Sequence, residues 1–207
     1  MSMQPFTTLD AVAVPLDSPN IDTDQIAPAR FLRKPRAGGY GQFLFHDLRL
    51  DPQGQPIADF MLNRPSSEGV GVLVTDRNFG CGSSREQAVW CLVDYGIRCV
   101  IAPSFGDIFF QNSVNHGLLL IRASEAHCDA LRAMLGRHPG ARIKVDLEAQ
   151  RYIDPEGVEH RFEIEEARRK RLMLGLDEIG LTLQYEAQIT AFEQRFRQSQ
   201  PWLFGAR

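Results

Sequence analysis

Residues 70–75 read Val-Gly-Val-Leu-Val-Thr, six positions without a charged side chain. A strand with one face in water alternates apolar and polar residues, because successive side chains point to opposite faces. A short run without that alternation, rich in β-branched residues, fits a strand covered on both sides. This constrains the fold more than any other feature, since a doubly covered strand needs helices on each face of its sheet.

The pattern recurs downstream. Residues 98–102 and 118–121 predict two further buried strands, the first ended by Pro103. Between them the spacing turns helical. A helix is expected from about 84 to 95, with Ala88, Leu92 and Tyr95 on one face and Gly96 as its C-terminal cap. Residues 105–115 read as a helix or tight loop. Ser124 caps another helix with Cys128, Leu131 and Leu135 on one face, closed by Gly136. Strand and helix in alternation predict an α/β fold with a mainly parallel sheet flanked by helices.

The two ends differ. Residues 17–63 are dense in proline and glycine, too long for a plain connection, so a lid or partner-wrapping segment is expected, pinned to the core around Phe43 to Phe45. In 142–207 the stretches 142–147 and 160–164 alternate like half-exposed strands, and Asp154-Pro155-Glu156-Gly157 suggests a hairpin turn. Ile189, Phe192 and Phe196 mark an amphipathic helix over 186–197. A smaller antiparallel addition therefore follows the parallel part, and 207 residues suit one domain spanning 1–207.

Several function classes are disfavoured. A net charge of −3 gives no field that would draw the chain to nucleic acid or an anionic membrane. The first ten residues lack a secretory pattern and no apolar run reaches the ~18 residues of a membrane span, so a cytoplasmic protein is expected. The four cysteines, Cys81, Cys91, Cys99 and Cys128, form no Cys-x-x-Cys pair, so neither a zinc nor a ferredoxin-type cluster site is expected. Cys91 and Cys99 lie among apolar residues and read as small hydrophobes with reduced thiols. No histidine pair has metal-ligand spacing, and His116 reads as structural. The basic run Arg168-Arg169-Lys170-Arg171 follows Glu163, Glu165 and Glu166, which suits an ion-paired helix face.

The chemistry concentrates in residues 78–87. Gly80 and Gly82 allow close backbone approach, the following residues open a helix whose free N–H groups favour an anion, and Arg85 offers a planar fork to a carboxylate. Two hydroxyls, Ser83 and Ser84, complete a site for a carboxylate-bearing substrate. A plainer reading competes: Ser83 with Glu86, or Ser84 with Gln87, fits a capping box that serves only to start the helix. Other motifs fail. The dinucleotide fingerprint lacks its third glycine, Glu86 stands where a nucleophile elbow needs glycine, and no Lys-Ser/Thr pair makes a phosphate loop.

Asn78-Phe79-Gly80-Cys81-Gly82-Ser83-Ser84-Arg85-Glu86 resembles the swivelling-domain signature of the aconitase superfamily, in its isopropylmalate dehydratase small-subunit form. Asn20 to Ile26 with Pro28 to Leu32, Ile101 to Phe109, and Gly175 to Leu183 resemble three further blocks of that family. The resemblance spans nearly the whole chain. It implies a swivelling β/β/α domain that pairs with a large subunit as a heterodimer in leucine biosynthesis. It also implies a 4Fe–4S cluster in the large subunit, none in this chain, and a small dicarboxylate substrate isomerised by loss and return of water. By motif position, Ser83 corresponds to the general base, and Ser84 and Arg85 to carboxylate-binding residues. Phe31, Leu32 and Arg33 correspond to the substrate-recognition loop, although Phe31 and Leu32 also suit simple packing on the core. The family commonly has His where Gln87 stands. A related hydroxy-diacid hydro-lyase of methylmalate or dimethylmalate type, a non-catalytic assembly module and a standalone serine hydrolase remain the alternatives.

Overall fold

The computed structural model describes residues 3–204. Its chain runs β1 (Thr8–Leu16), α1 (Thr23–Ile26), α2 (His46–Arg49), β2 (Val70–Thr75), α3 (Glu86–Tyr95), β3 (Cys99–Ala102), α4 (Asp107–Ser113) and β4 (Leu119–Arg122). It continues through α5 (Glu125–Arg137), β5 (Arg142–Asp146), β6 (Arg151–Ile153), β7 (Glu159–Arg161), α6 (Glu166–Leu174), α7 (Glu178–Leu183) and α8 (Glu186–Ser199). The strands form one sheet of order β4-β3-β2-β1-β5-β6-β7. The first four are parallel, and β5, β6 and β7 continue the sheet beyond β1, each antiparallel to the strand before it in that order.

The sheet has two apolar faces, as the run 70–75 requires. All six residues of β2 are buried. Leu73 joins a cluster with Ile26, Tyr40, Phe45, Leu92 and Val100, whereas Val72 and Val74 join one with Cys99, Ile121, Cys128, Leu135 and Ile143. Alternate side chains of one strand therefore feed opposite layers. Residues 17–63 are built from short helical turns pinned by fully buried Tyr40, Leu44 and Phe45, in line with the anchor expected there.

Strand β1, paired with β2 on one side and β5 on the other, has no counterpart among the sequence expectations. Pro15 obscures it, since proline cannot donate to a ladder. The ladder tolerates Pro15 because the Ala13 N–H points toward the β5 side, to Ala141 O at 2.9 Å. Pro15 faces the same way two residues later, where pairing with β5 has already ended at Val12.

Other boundaries moved by small amounts. α3 starts at Glu86 rather than near 84, and Gly96 caps it with φ of 113° as expected. Ser124 caps α5, its side chain accepting from His127 N, but Gly136 lies inside that helix, which ends at Arg137. The hairpin turn 154–157 joins β6 to β7, with Asp154 Oδ1 accepting from the Glu156 and Val158 amides. The stripe of α8 forms, yet Ile189, Phe192 and Phe196 stay exposed, Phe196 meeting Phe204 edge-on. Among the described residues no helix is long and apolar enough to cross a membrane.

Arg132 of α5 closes the C-terminal end of β2. Only 9% of its side chain is exposed, and it donates to Thr75 O, Asp17, Asp76 and Asp129. Leu73 is the test of the two-layer core. Truncation to Ala removes buried methyl groups from a strand that cannot collapse around the gap, so Leu73→Ala should lower unfolding free energy by about 2–5 kcal/mol in urea melts.

Candidate functional site

The turn after β2 is shaped by positions that only a few residues tolerate. Asn78 sits at φ of 60° and Gly80 at φ of 72°, both left-handed. A side chain at Gly80 would occupy the Phe109 ring of α4, and one at Gly106 would strike the Gly80 carbonyl. The turn and the start of α4 thus close on one another at Gly80, and glycine is what lets them meet.

A second segment stitches this turn in place from the far side. Gly80 N donates to Ile21 O at 2.7 Å, and Thr23 N donates to Cys81 O at 2.9 Å. The Thr23 hydroxyl donates to Ser83 O at 2.8 Å, and Asn78 Nδ2 donates to Asn20 Oδ1 at 2.8 Å. Residues 20–23 and 78–83 therefore run side by side as a short parallel ribbon, with a bridge between Asp22 and Cys81.

Ser83 and Ser84 emerge from the ribbon exposed. Neither hydroxyl makes a hydrogen bond among the described residues. The capping-box reading is not what the structure forms: Arg85 is the N-cap of α3, with no side-chain cap bond. Ala88 N donates to Arg85 O at 3.3 Å, the Glu86 and Gln87 amides are left for another acceptor, and the two hydroxyls are left for another task. The capping box occurs instead at α1, where Asp22 accepts from Gln25 N and the Gln25 side chain accepts from Asp22 N.

Arg85 is 12% exposed at its side chain and grips Asp24, which is 55% exposed. The grip is two-pronged, Nη2 lying 2.8 Å from Asp24 Oδ2 while Nη1 bonds Oδ1, and Nη1 also reaches Ala27 O at 3.4 Å. The bond to Arg85 holds the Asp24 carboxyl below its ordinary range and raises the guanidinium in turn. Asp24 Oδ1 also accepts from Ala29 N at 3.1 Å, fixing the start of the next turn.

That turn carries the expected recognition residues. Phe31 ends a 3-10 helix, Ala29–Phe31, followed by Leu32 and Arg33. Tyr40 donates its hydroxyl to Lys34 O at 2.7 Å, and the Gln87 amide reaches Leu32 O at 3.5 Å. The 28–34 segment is therefore brought against the start of α3, beside the Arg85 fork. Within it, Phe31 stacks on Phe43 with centroids 4.3 Å apart and lies under Arg30, so its ring serves local packing. Leu32 is half-buried and Arg33 exposed.

The remaining candidates are structural. Cys91, Cys99 and Cys128 are buried, and burial pushes the Cys91 thiol up to about 12. Trp90 Nε1 donates to His116 Nε2 at 3.2 Å, and burial lowers the basicity of that imidazole. Among the described residues no group of three or more His, Cys, Asp or Glu side chains could hold a metal ion. Sequence reading passed over Thr23, whose neighbours Asp22 and Asp24 draw attention by their charge. Its signal is local: a buried hydroxyl residue between two acids at the start of a short helix.

Geometry supports one compact arrangement: two unspent hydroxyls, a carboxylate-gripping guanidinium and uncapped amides on an open surface. Two consequences can be measured. A depressed carboxyl contributes stability above its unfolded pKa, near ~3.9, and loses it as pH falls through the lower folded value. The stability difference between wild type and Asp24→Asn should thus stay constant from about pH 7 to about 5 and shrink below about pH 4, as read in urea melts. Gly106→Ala should lower the melting temperature by several degrees, about 1–3 kcal/mol of strain, because its Cβ would press on the Gly80 carbonyl.

Known proteins share this architecture. The aconitase C-terminal domain family matches residues 3–126, and the family of the C-terminal domain of 3-isopropylmalate dehydratase small subunits matches 178–206. The 3-isopropylmalate dehydratase small subunit of Gluconacetobacter diazotrophicus is 50% identical over 202 residues, covering 97% of each chain. That of Phenylobacterium zucineum is 48% identical over 206 residues, covering 99% of this chain and 100% of the relative. A crystal structure of 3-isopropylmalate dehydratase from Methanocaldococcus jannaschii superposes with a TM-score of 0.63 at 27% identity, covering 90% of this chain and 99% of that one.

Proposed function

The chain belongs to the family of 3-isopropylmalate dehydratase small subunits, and from that premise we propose that Ser83 is the proton-transferring base of a reversible dehydration, with Ser84 and Arg85 holding a substrate carboxylate. The reaction interconverts 2-isopropylmalate and 3-isopropylmalate in leucine biosynthesis. Water is lost from two neighbouring carbons and re-added in the opposite sense.

The observation that carries the reading is the pair of exposed hydroxyls without internal partners, beside an arginine already shaped around a carboxylate. In the forward half, Ser83 Oγ takes the proton from the carbon next to the one bearing hydroxyl. In the return half it gives that proton to the other carbon. A free serine hydroxyl is a very weak acid, so its alkoxide needs nearby positive potential. The Arg85 guanidinium and the uncapped start of α3 supply it. Leu32 and Arg33 lie on the segment that would meet the remainder of the substrate, an aliphatic side chain for the branched alkyl group and a cation for the second carboxylate.

The departing hydroxyl requires a Lewis acid, which we assign to a 4Fe–4S cluster of the large subunit; this chain's cysteines are scattered and three are buried, a donor set that does not fit a cluster. Nor does the open turn exclude water by itself, and proton abstraction from carbon is favoured in a closed, dry site. A large subunit laid over Ser83 would supply both. The same reading puts the complex in the cytoplasm, without nucleic acid or membrane as partner.

Reconstitution with the cluster-bearing large subunit tests it, assayed on 2-isopropylmalate and on shorter 2-alkylmalates. Ser83→Ala should lower kcat by about 10²–10⁴ with little change in KM, the range for loss of a positioned acid–base group. Arg85→Lys should chiefly raise KM, because a point charge cannot replace the fork. Full turnover by Ser83→Ala would remove the assignment. Faster turnover of the shorter diacids would move the substrate to a related hydro-lyase.

A further inference from the structure

A cavity of about 1020 Å³ lies away from the serine turn, along the open edge of β4. β4 ends the sheet on that side, and the extended residues 162–165 after β7 form the opposite wall. Leu118, Leu120, Phe162, Ile164 and Leu172 give it an apolar floor, and Phe110 of α4 stands at its rim.

The cations around it are unusual in their partners. Arg122 and Arg161 line the cavity, both exposed, and neither side chain has an ion pair or hydrogen bond among the described residues. Arg168 also lines it, pairing with Glu165 at 3.2 Å and donating to Phe110 O at 3.1 Å. Arg122 and Arg168 both sit over the Phe110 ring, 4.2 and 4.7 Å from its centroid, so one ring holds two like charges near each other. The N-terminus of α6 starts at the same place, with Glu165 as N-cap and no side-chain cap bond. Glu163 and Glu165 oppose this field, but three guanidiniums and an uncapped nine-residue helix outweigh two exposed carboxylates.

We infer that this cavity is a second ligand site, taking an organic monocarboxylate with an aliphatic body. The carboxylate is held at Arg122 and Arg161, and the hydrocarbon lies along Leu120, Phe162 and Leu172. Its volume is that of a small-molecule pocket rather than a surface dimple. Its rim is tied to the serine turn by one helix: Phe110 and Phe109 are consecutive, and Phe109 packs edge-on against Phe79.

Calorimetric titration of the full chain, alone and assembled with the large subunit, tests the site with hexanoate, hexanol and inorganic phosphate as probes. Hexanoate should bind saturably, with hexanol and phosphate each weaker by about tenfold or more, since each lacks one half of the recognition. Arg122→Gln and Arg161→Gln alter exposed side chains that make no hydrogen bond or ion pair within the fold, and each should weaken hexanoate about tenfold. Ile164→Trp, which narrows the cavity without touching a cation, should weaken it too. Arg85→Lys and Ser83→Ala should leave it unchanged, which separates this site from the serine turn. Absence of saturable hexanoate binding would overturn the proposal, as would indifference to both arginine variants or phosphate binding as tightly as hexanoate. Loss of binding on assembly would also overturn it, by assigning this face to the large subunit.

Discussion

The whole arrangement rests on the parallel ribbon between residues 20–23 and 78–83. Two backbone hydrogen bonds and the Thr23 hydroxyl join segments some sixty positions apart in the chain. Without the ribbon, the loop-rich 17–63 region would have no fixed relation to the end of β2. With it, the loop's short helical turns inherit the rigidity of a strand buried on both faces. Arg85 then reaches back across the ribbon to Asp24 and Ala27, so the ribbon also aims the side chain with the most evident binding chemistry. A site on a loop is held to useful precision only when something regular supports it.

The sequence made the interior legible because burial leaves a periodic trace. The run 70–75 announced a doubly covered strand, and the helices after it followed from spacing and caps. β1 escaped because Pro15 and Asp10 break both the apolar run and the propensity signal. Its place at the centre is set by two neighbours distant in sequence, which no local window contains. The capping boxes at Ser83 and Ser84 show the opposite failure. The pattern is present, but the ribbon bonds hold the Ser83 carbonyl and delay the helix to Glu86, so tertiary contacts override a local preference. The proposed site residues were singled out mainly through their resemblance to a family. Spacing alone could not choose between a functional hydroxyl and a cap.

What remains outward-facing is as informative as what is buried. The serine turn lies open, and the stripe of α8 has no cover from the body of the fold. The arginines of the basic run 168–171, by contrast, have partners within the fold, while Lys170 is exposed: Arg168 meets Phe110 and Glu165, Arg169 meets Glu148 and Glu166, and Arg171 meets Asn115. Charge that looks like an invitation in sequence is thus structural mortar, whereas the hydroxyls, which look like mortar, are free.

The Asp24–Arg85 fork has a kinetic corollary. On the carboxylate-holding role proposed for Arg85, an incoming carboxylate does not find a bare cation; it must trade places with one already seated. Such an exchange swaps one ionic contact for an equivalent one, so little net electrostatic gain accrues to the ground state. Asp24, half exposed and freed by the swap, regains water at small cost. A catalyst that must release two isomeric diacids in either direction benefits from a grip of this kind, firm in geometry and shallow in affinity.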